Sequence, residues 1–164
     1  MPLRPILSFP DPRLRLAAAP VTRFDADLRE LAADLLDTMR AAPGIGITAP
    51  HVGVLSRLVV LELTPGQVWT YVNPVLDDVS RETIRHVEGS VSMPGVTEEL
   101  ERHAKVRVRY RDLDGAERIE EADGFLAVCH QHEIDQLDGI FWIDRLSRLR
   151  RDRVIARYRK QGRG

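Results

Sequence analysis

Apolar positions along this chain change period several times, and each change marks an element. After Phe24, Leu28, Leu31, Leu35, Leu36 and Met39 recur at helical spacing as one stripe, which predicts a helix stopped by Pro43-Gly44. Asp25 and Asp27 lie where the helix dipole favours acids, and Asp27 with Glu30 reads as a capping box. Upstream, Pro2, Pro5, Pro10, Pro12 and Pro20 predict extended and turn segments and no helix. A glycine-punctuated loop, Gly44 to Gly53, follows the helix. Arg57–Leu63 reads as a buried strand, and Val68–Val72 and Val75–Val79 as short strands split by Asn73-Pro74. Arg81–Val91 reads as extended. Lys105–Tyr110 alternates strictly, as a half-exposed strand does, and Asp112-Leu113-Asp114-Gly115 is a hairpin turn returning through Ala116–Glu121. The period is helical again from Gly124 to Leu137, where Phe125, Val128, Cys129, His132, Glu133 and Gln136 share a face and Gly139 ends the run. Ile140–Ile143 reads as a short strand and Ser147–Arg159 as a terminal helix. The expected class is α+β: short, mostly antiparallel strands around a central helix, in one domain over residues 1–164.

Composition narrows the partners. No apolar run approaches the ~20 residues of a membrane span, and the N-terminus lacks a basic stretch followed by an apolar block, so neither membrane insertion nor secretion is expected. A lone cysteine, Cys129, makes no internal disulfide, and the expected compartment is the cytoplasm. The net charge of −1 conceals an asymmetry, because Arg145 to Arg163 holds nine Arg/Lys against one acid, Asp152. Such a tail reads either as a solvated helix end or as a contact for a polyanion.

The candidate chemistry sits on the central helix. His132, Glu133 and Gln136 form HExxQ, one residue away from HExxH, in which two imidazoles bind a metal and the glutamate activates its water. Three segments then resemble the motifs of peptide deformylase. Gly44-Ile45-Gly46-Ile47-Thr48-Ala49-Pro50-His51-Val52-Gly53 is similar to GxGxAAxQxG. Glu88-Gly89-Ser90-Val91-Ser92 is similar to EGCxS. Gln131-His132-Glu133-Ile134-Asp135-Gln136-Leu137-Asp138-Gly139 is similar to QHExDHxxG. Order and spacing agree, as do the flanking Pro10-Asp11-Pro12-Arg13-Leu14 and Ile143-Asp144-Arg145-Leu146.

The resemblance implies the deformylase fold and removal of the formyl group from N-formylmethionyl peptides. It implies Fe²⁺ or Zn²⁺ held by one cysteine and two histidines, at positions that here read Ser90, His132 and Gln136. It makes Glu133 the general base and acid, Val91 the backbone oxyanion donor, and His51 the replacement for a glutamine that polarises the formyl oxygen. Gly46, Gly89 and Ser90 would border the substrate, Arg102 would brace Glu88, and Thr97 stands where many members carry arginine. It also implies a C-terminal helix, here 147–164, that docks on the ribosome. Serine supplies no thiolate and glutamine only a neutral donor, so weak or absent activity and no resident cofactor are expected, with Fe²⁺ or Zn²⁺ only through residual binding at His132. Alternatives stay open. They are an active metal-dependent deformylase, a new metal set of His51, His132 and Glu133, a hydrolase with Ser90 as nucleophile and His132 as base, and a non-catalytic protein that binds formylated or unformylated peptide N termini. Ser90 also reads as a filler of the cysteine's volume, His132 as bonded to Gln136 or Ser90 in a dry site, and Cys129 as core packing. The remaining histidines, His86, His103 and His130, join no constellation.

Overall fold

The computed structural model describes residues 3–162, so Pro2 and the last two residues of the 147–164 segment, Arg163 among them, lie outside it. Helix α1 spans Ala26–Ala41 and buries Leu28, Leu35 and Met39 from the stripe. Its cap is Asp25, whose side chain accepts from Leu28 N, so the capping box expected at Asp27 and Glu30 is displaced. The chain continues through β1 (Gly46–Thr48), β2 (Leu58–Thr64), β3 (Gln67–Val79), β4 (Thr83–Ser90), β5 (Met93–His103), β6 (Lys105–Arg111) and β7 (Glu117–Asp123). Helices α2 (Gly124–Leu137) and α3 (Arg148–Gln161) complete it. The α+β class with antiparallel pairing is as expected: one sheet runs β1-β2-β3-β6-β7, and β4-β5 forms a second.

Three local expectations are corrected. β3 is one strand, because Asn73 takes a φ of 51° while the pairing shifts between Val72 and Val75. Asparagine tolerates that conformation, and its amide pairs with Val21 N at 2.8 Å and Val21 O at 2.9 Å. Ile140–Ile143 is no strand; Trp142–Arg145 is a 3-10 turn whose Trp142 and Ile143 plug the core beneath β5 and α3. Pro12–Arg15, in the segment expected to hold no helix, is another 3-10 turn, capped by Asp11. β5 was not expected at all.

Helix α2 packs against every strand of both sheets. It is buried nearly all round, which explains its weak amphipathic signal. Its polar residues must then find partners inside. Gln131 holds both backbone groups of His103, and His130 meets Glu120, which also accepts from the Tyr71 hydroxyl. His130 therefore belongs to a buried cluster after all, with Glu120 and Tyr71.

Candidate active site

A groove of about 460 Å³ opens between β1, the β4–β5 hairpin and the first turns of α2. Gly46 and His51 line it from the glycine loop, Gly89, Ser90 and Val91 from the hairpin, and His132 and Glu133 from α2. Gln136 is the one candidate not among the lining residues; its amide donates instead to the Leu14 carbonyl at 2.7 Å. Gly46 is required by close approach, since a Cβ there would lie 2.9 Å from Leu61 Cδ2 and 3.5 Å from Glu133 Oε1. The mouth is apolar and includes the exposed Ile45, Val87 and Phe125.

His51 sits on a 3-10 turn, Ala49–Val52, whose cap Thr48 fixes its ring. His51 Nδ1 lies 2.9 Å from Thr48 N. A backbone N–H can only donate, so Nδ1 accepts and the ring proton sits on Nε2. That Nε2 is buried in the groove wall with no partner. Burial, with the nearby His132 charge, pushes the His51 pKa down to about 3, so the ring is a neutral donor near pH 7.

His132 is held differently. Its Nδ1 is 2.8 Å from Glu88 Oε1, and its Nε2 is 3.5 Å from Glu133 Oε1. It pairs with neither Gln136 nor Ser90, the partners expected for a dry site; the Ser90 hydroxyl accepts from Ser92 N at 3.1 Å. Burial opposes the charge on His132, but the hydrogen bond it donates to Glu88 and the two carboxylates outweigh it and raise its pKa. Burial would likewise raise Glu88, yet hydrogen bonds from Arg102 and His132 bring it down to about 2. Arg102 grips Glu88 with two bonds, at 2.7 and 2.9 Å, and reaches Asp135 at 2.8 Å; Arg145 closes on Asp135 at 2.7 and 2.9 Å. The chain of charges runs from the half-exposed Arg145 to His132. The sequence reading found Arg102 and Glu88 but not Asp135 or Arg145. Both lie in segments that carried the resemblance, Asp135 at the acid of QHExDHxxG and Arg145 in Ile143-Asp144-Arg145-Leu146, but nothing in the order of residues paired them.

Glu133 is the least satisfied member. Its Oε2 has no hydrogen-bond partner, and burial pushes its pKa up to about 7 against the pull of His132. Cys129 lines the same wall, and burial with the neighbouring Glu133 and Glu88 charges pushes its thiol up to about 12.

This donor set does not fit Fe²⁺ or Zn²⁺. Among the described residues no three His, Cys, Asp or Glu side chains are placed to hold an ion, so the set of His51, His132 and Glu133 is not formed. Gln136 is committed to a backbone carbonyl, and Ser90 offers a neutral hydroxyl. No helix among the described residues is long and apolar enough to cross a membrane.

Comparison with known proteins places these features. A family model described as polypeptide deformylase matches residues 3–152. A Brucella suis protein named peptide deformylase-like is 66% identical over 161 residues, covering 98% of each chain. A second protein of the same organism, named peptide deformylase, is 43% identical over 164 residues, covering 98% of this chain and 94% of its own. The crystal structure of peptide deformylase from Ehrlichia chaffeensis in complex with actinonin superposes with a TM-score of 0.93, at 35% identity over the full length of both chains.

Proposed function

Because this chain belongs to the peptide deformylase family, we propose that it is a deformylase-like protein that keeps a groove for peptide N termini and has weak or no deformylase activity. The observation that carries this reading is the donor set: the groove wall offers His132 where the family implies three metal ligands, with Ser90 neutral and Gln136 bonded to Leu14. A metal lowers the pKa of bound water from ~15.7 to ~7. Without it, a Glu133 carboxyl of pKa about 7 is far too weak a base to ionise water. The rest of the groove still suits a peptide end. His51 Nε2–H is a neutral donor for a carbonyl oxygen, Gly46 and Gly89 bring bare backbone to the wall, and Val91 lies beside Ser90 as the proposed oxyanion donor. The higher identity to the "like" protein of Brucella suis than to the same organism's peptide deformylase supports divergence from the enzyme. The expected compartment is the cytoplasm, where nascent chains are made, and the working unit is one domain over residues 1–164.

The test is turnover of formyl-Met-Ala-Ser by the purified chain with and without Fe²⁺, Ni²⁺ or Zn²⁺. Background rates are expected in every condition, and metal-dependent turnover is expected only after Ser90→Cys with Gln136→His. Metal-stimulated turnover by the unaltered chain, abolished by Glu133→Gln, would return the ordinary enzyme reading. One observation favours a second reading. Glu88 orients His132 through Nδ1, and His132 and Ser90 line the same groove, as a base and its nucleophile would. Labelling of Ser90 by a fluorophosphonate is the outcome that reading requires.

A further inference from the structure

Two polar atoms in the groove wall are left without partners by the fold: His51 Nε2 and Glu133 Oε2. Their residues are only 1% and 4% exposed, and buried polar atoms of folded proteins are rarely left unpaired without a purpose. One is an N–H donor, fixed by the Thr48 N–H on the far side of its ring. The other is a carboxyl oxygen. Together they describe the complement: a ligand with an acceptor for His51 and a donor, best a cationic one, for Glu133.

The neighbouring charges sharpen that description. Glu88 is taken by Arg102 and His132, and Asp135 by Arg102 and Arg145. His132 is held through Nδ1 by Glu88 at 2.8 Å, and its Nε2 lies 3.5 Å from Glu133 Oε1, so Glu133 Oε2 is left free. Glu133 is thus the acid of the groove wall with an oxygen to spare. Since the donors do not fit a divalent ion, the cation beside that carboxylate has to arrive with the ligand.

We propose that the groove is a receptor for free peptide amino termini, with the α-ammonium on Glu133 Oε2 and the carbonyl of the first residue on His51 Nε2–H, and that it discriminates against N-blocked ends. The inference rests on the reading that the groove takes peptide N termini. Val128, Cys129 and Phe125 of the same wall give the first side chain an apolar seat. A formyl or acetyl group replaces the ammonium by a neutral amide with a single N–H. It exchanges a charge-assisted bond for a neutral one of about half the strength and adds bulk where the carboxylate sits. The protein then reads ends that have already been deformylated.

The experiment uses the full chain and three peptides with a C-terminal fluorophore: Met-Ala-Ser, formyl-Met-Ala-Ser and acetyl-Met-Ala-Ser. Binding is read by anisotropy at pH 7. The free amine is expected to bind at least about tenfold more tightly than either blocked peptide, as loss of a charged hydrogen-bond partner implies. Glu133→Gln keeps the shape, and its fold is checked by circular dichroism; it should bring the preference to within about twofold. His51→Ala should weaken free and blocked peptides alike. Blocked peptides binding as tightly as the free amine, or a preference that survives in Glu133→Gln, overturns the proposal. Binding of none of the three peptides overturns the underlying groove reading as well, and so is told apart from a failure of discrimination alone.

Discussion

Arg102 does more for this site than any residue that faces the groove. It is 5% exposed and holds two buried carboxylates, Glu88 and Asp135, and through Glu88 it fixes the His132 ring. Removing one partner of a buried ion pair costs about 3–5 kcal/mol, because the other charge stays behind unpaired. Arg102→Ala should therefore lower the free energy of urea unfolding by about that amount, well beyond the effect of any exposed arginine. The same cluster sets an acid limit. The Glu88 pKa falls from its ordinary 4.5 to about 2 on folding. Its contribution is fully present above the unfolded value and is lost as pH falls through the folded one. Stability measured by urea titration should decline between about pH 4.5 and 2, and Glu88→Gln should flatten that decline. A slope unchanged by the substitution would assign the acid limit to other carboxylates.

At the scale of elements, α2 is the axis on which the site is built, and its C-terminal end is set by a glycine. Gly139 has a φ of 78°, and a Cβ there would lie 2.7 Å from the Arg15 carbonyl oxygen. The left-handed conformation and the backbone clash add, so Gly139→Ala should cost about 2–4 kcal/mol in chemical denaturation. The periodicity that marked α2 in sequence was legible because His132 and Glu133 share a face with Val128 and Cys129. What pairs with its buried polar residues was not, since Glu88, Arg102 and Leu14 come from distant parts of the chain and Glu120 from the neighbouring strand β7. β5 escaped the sequence reading for a related reason. Pro94, Gly95 and the acids of Glu98 to Glu101 break any alternation, and the strand is secured by β4 and by α3.

For the molecule as a whole, the terminal helix serves two purposes that the sequence reading treated as one. Arg150 and Arg157 turn inward to Glu98 and to the carbonyls of Glu99 and Thr97, and Val154 is fully buried. Removal of the segment from Ser147 onward would therefore unfold the hairpin side of the groove and test nothing else. Arg148, Arg153, Arg159 and Lys160 are exposed and enter no ion pair among the described residues. If they meet ribosomal phosphate, their joint replacement by glutamine should reduce co-sedimentation with ribosomes in low salt, and the effect should fade in high salt for the unaltered chain. The thermal midpoint should move little, because exposed charges contribute little to stability. Equal co-sedimentation of both proteins would remove the ribosome from the set of partners.

The sequence by itself determined the family, the helices α1, α2 and α3, and which residues approach the groove, because spacing along a helix or within a tight loop is a local property that the chain carries in its order. It also put Ser90 and Gln136 at the positions where the resemblance implies a cysteine and a histidine. Tertiary structure alone decided that Gln136 turns away to Leu14, that Asp135 and Arg145 extend the chain of charges to His132, and that His51 and Glu133, which line one cavity, each keep an unpaired atom. Those outcomes depend on which backbone and side-chain groups from remote segments satisfy one another when water is excluded. Hydrogen-bond satisfaction of that kind is a property of the packed whole, with no periodic trace in the order of residues.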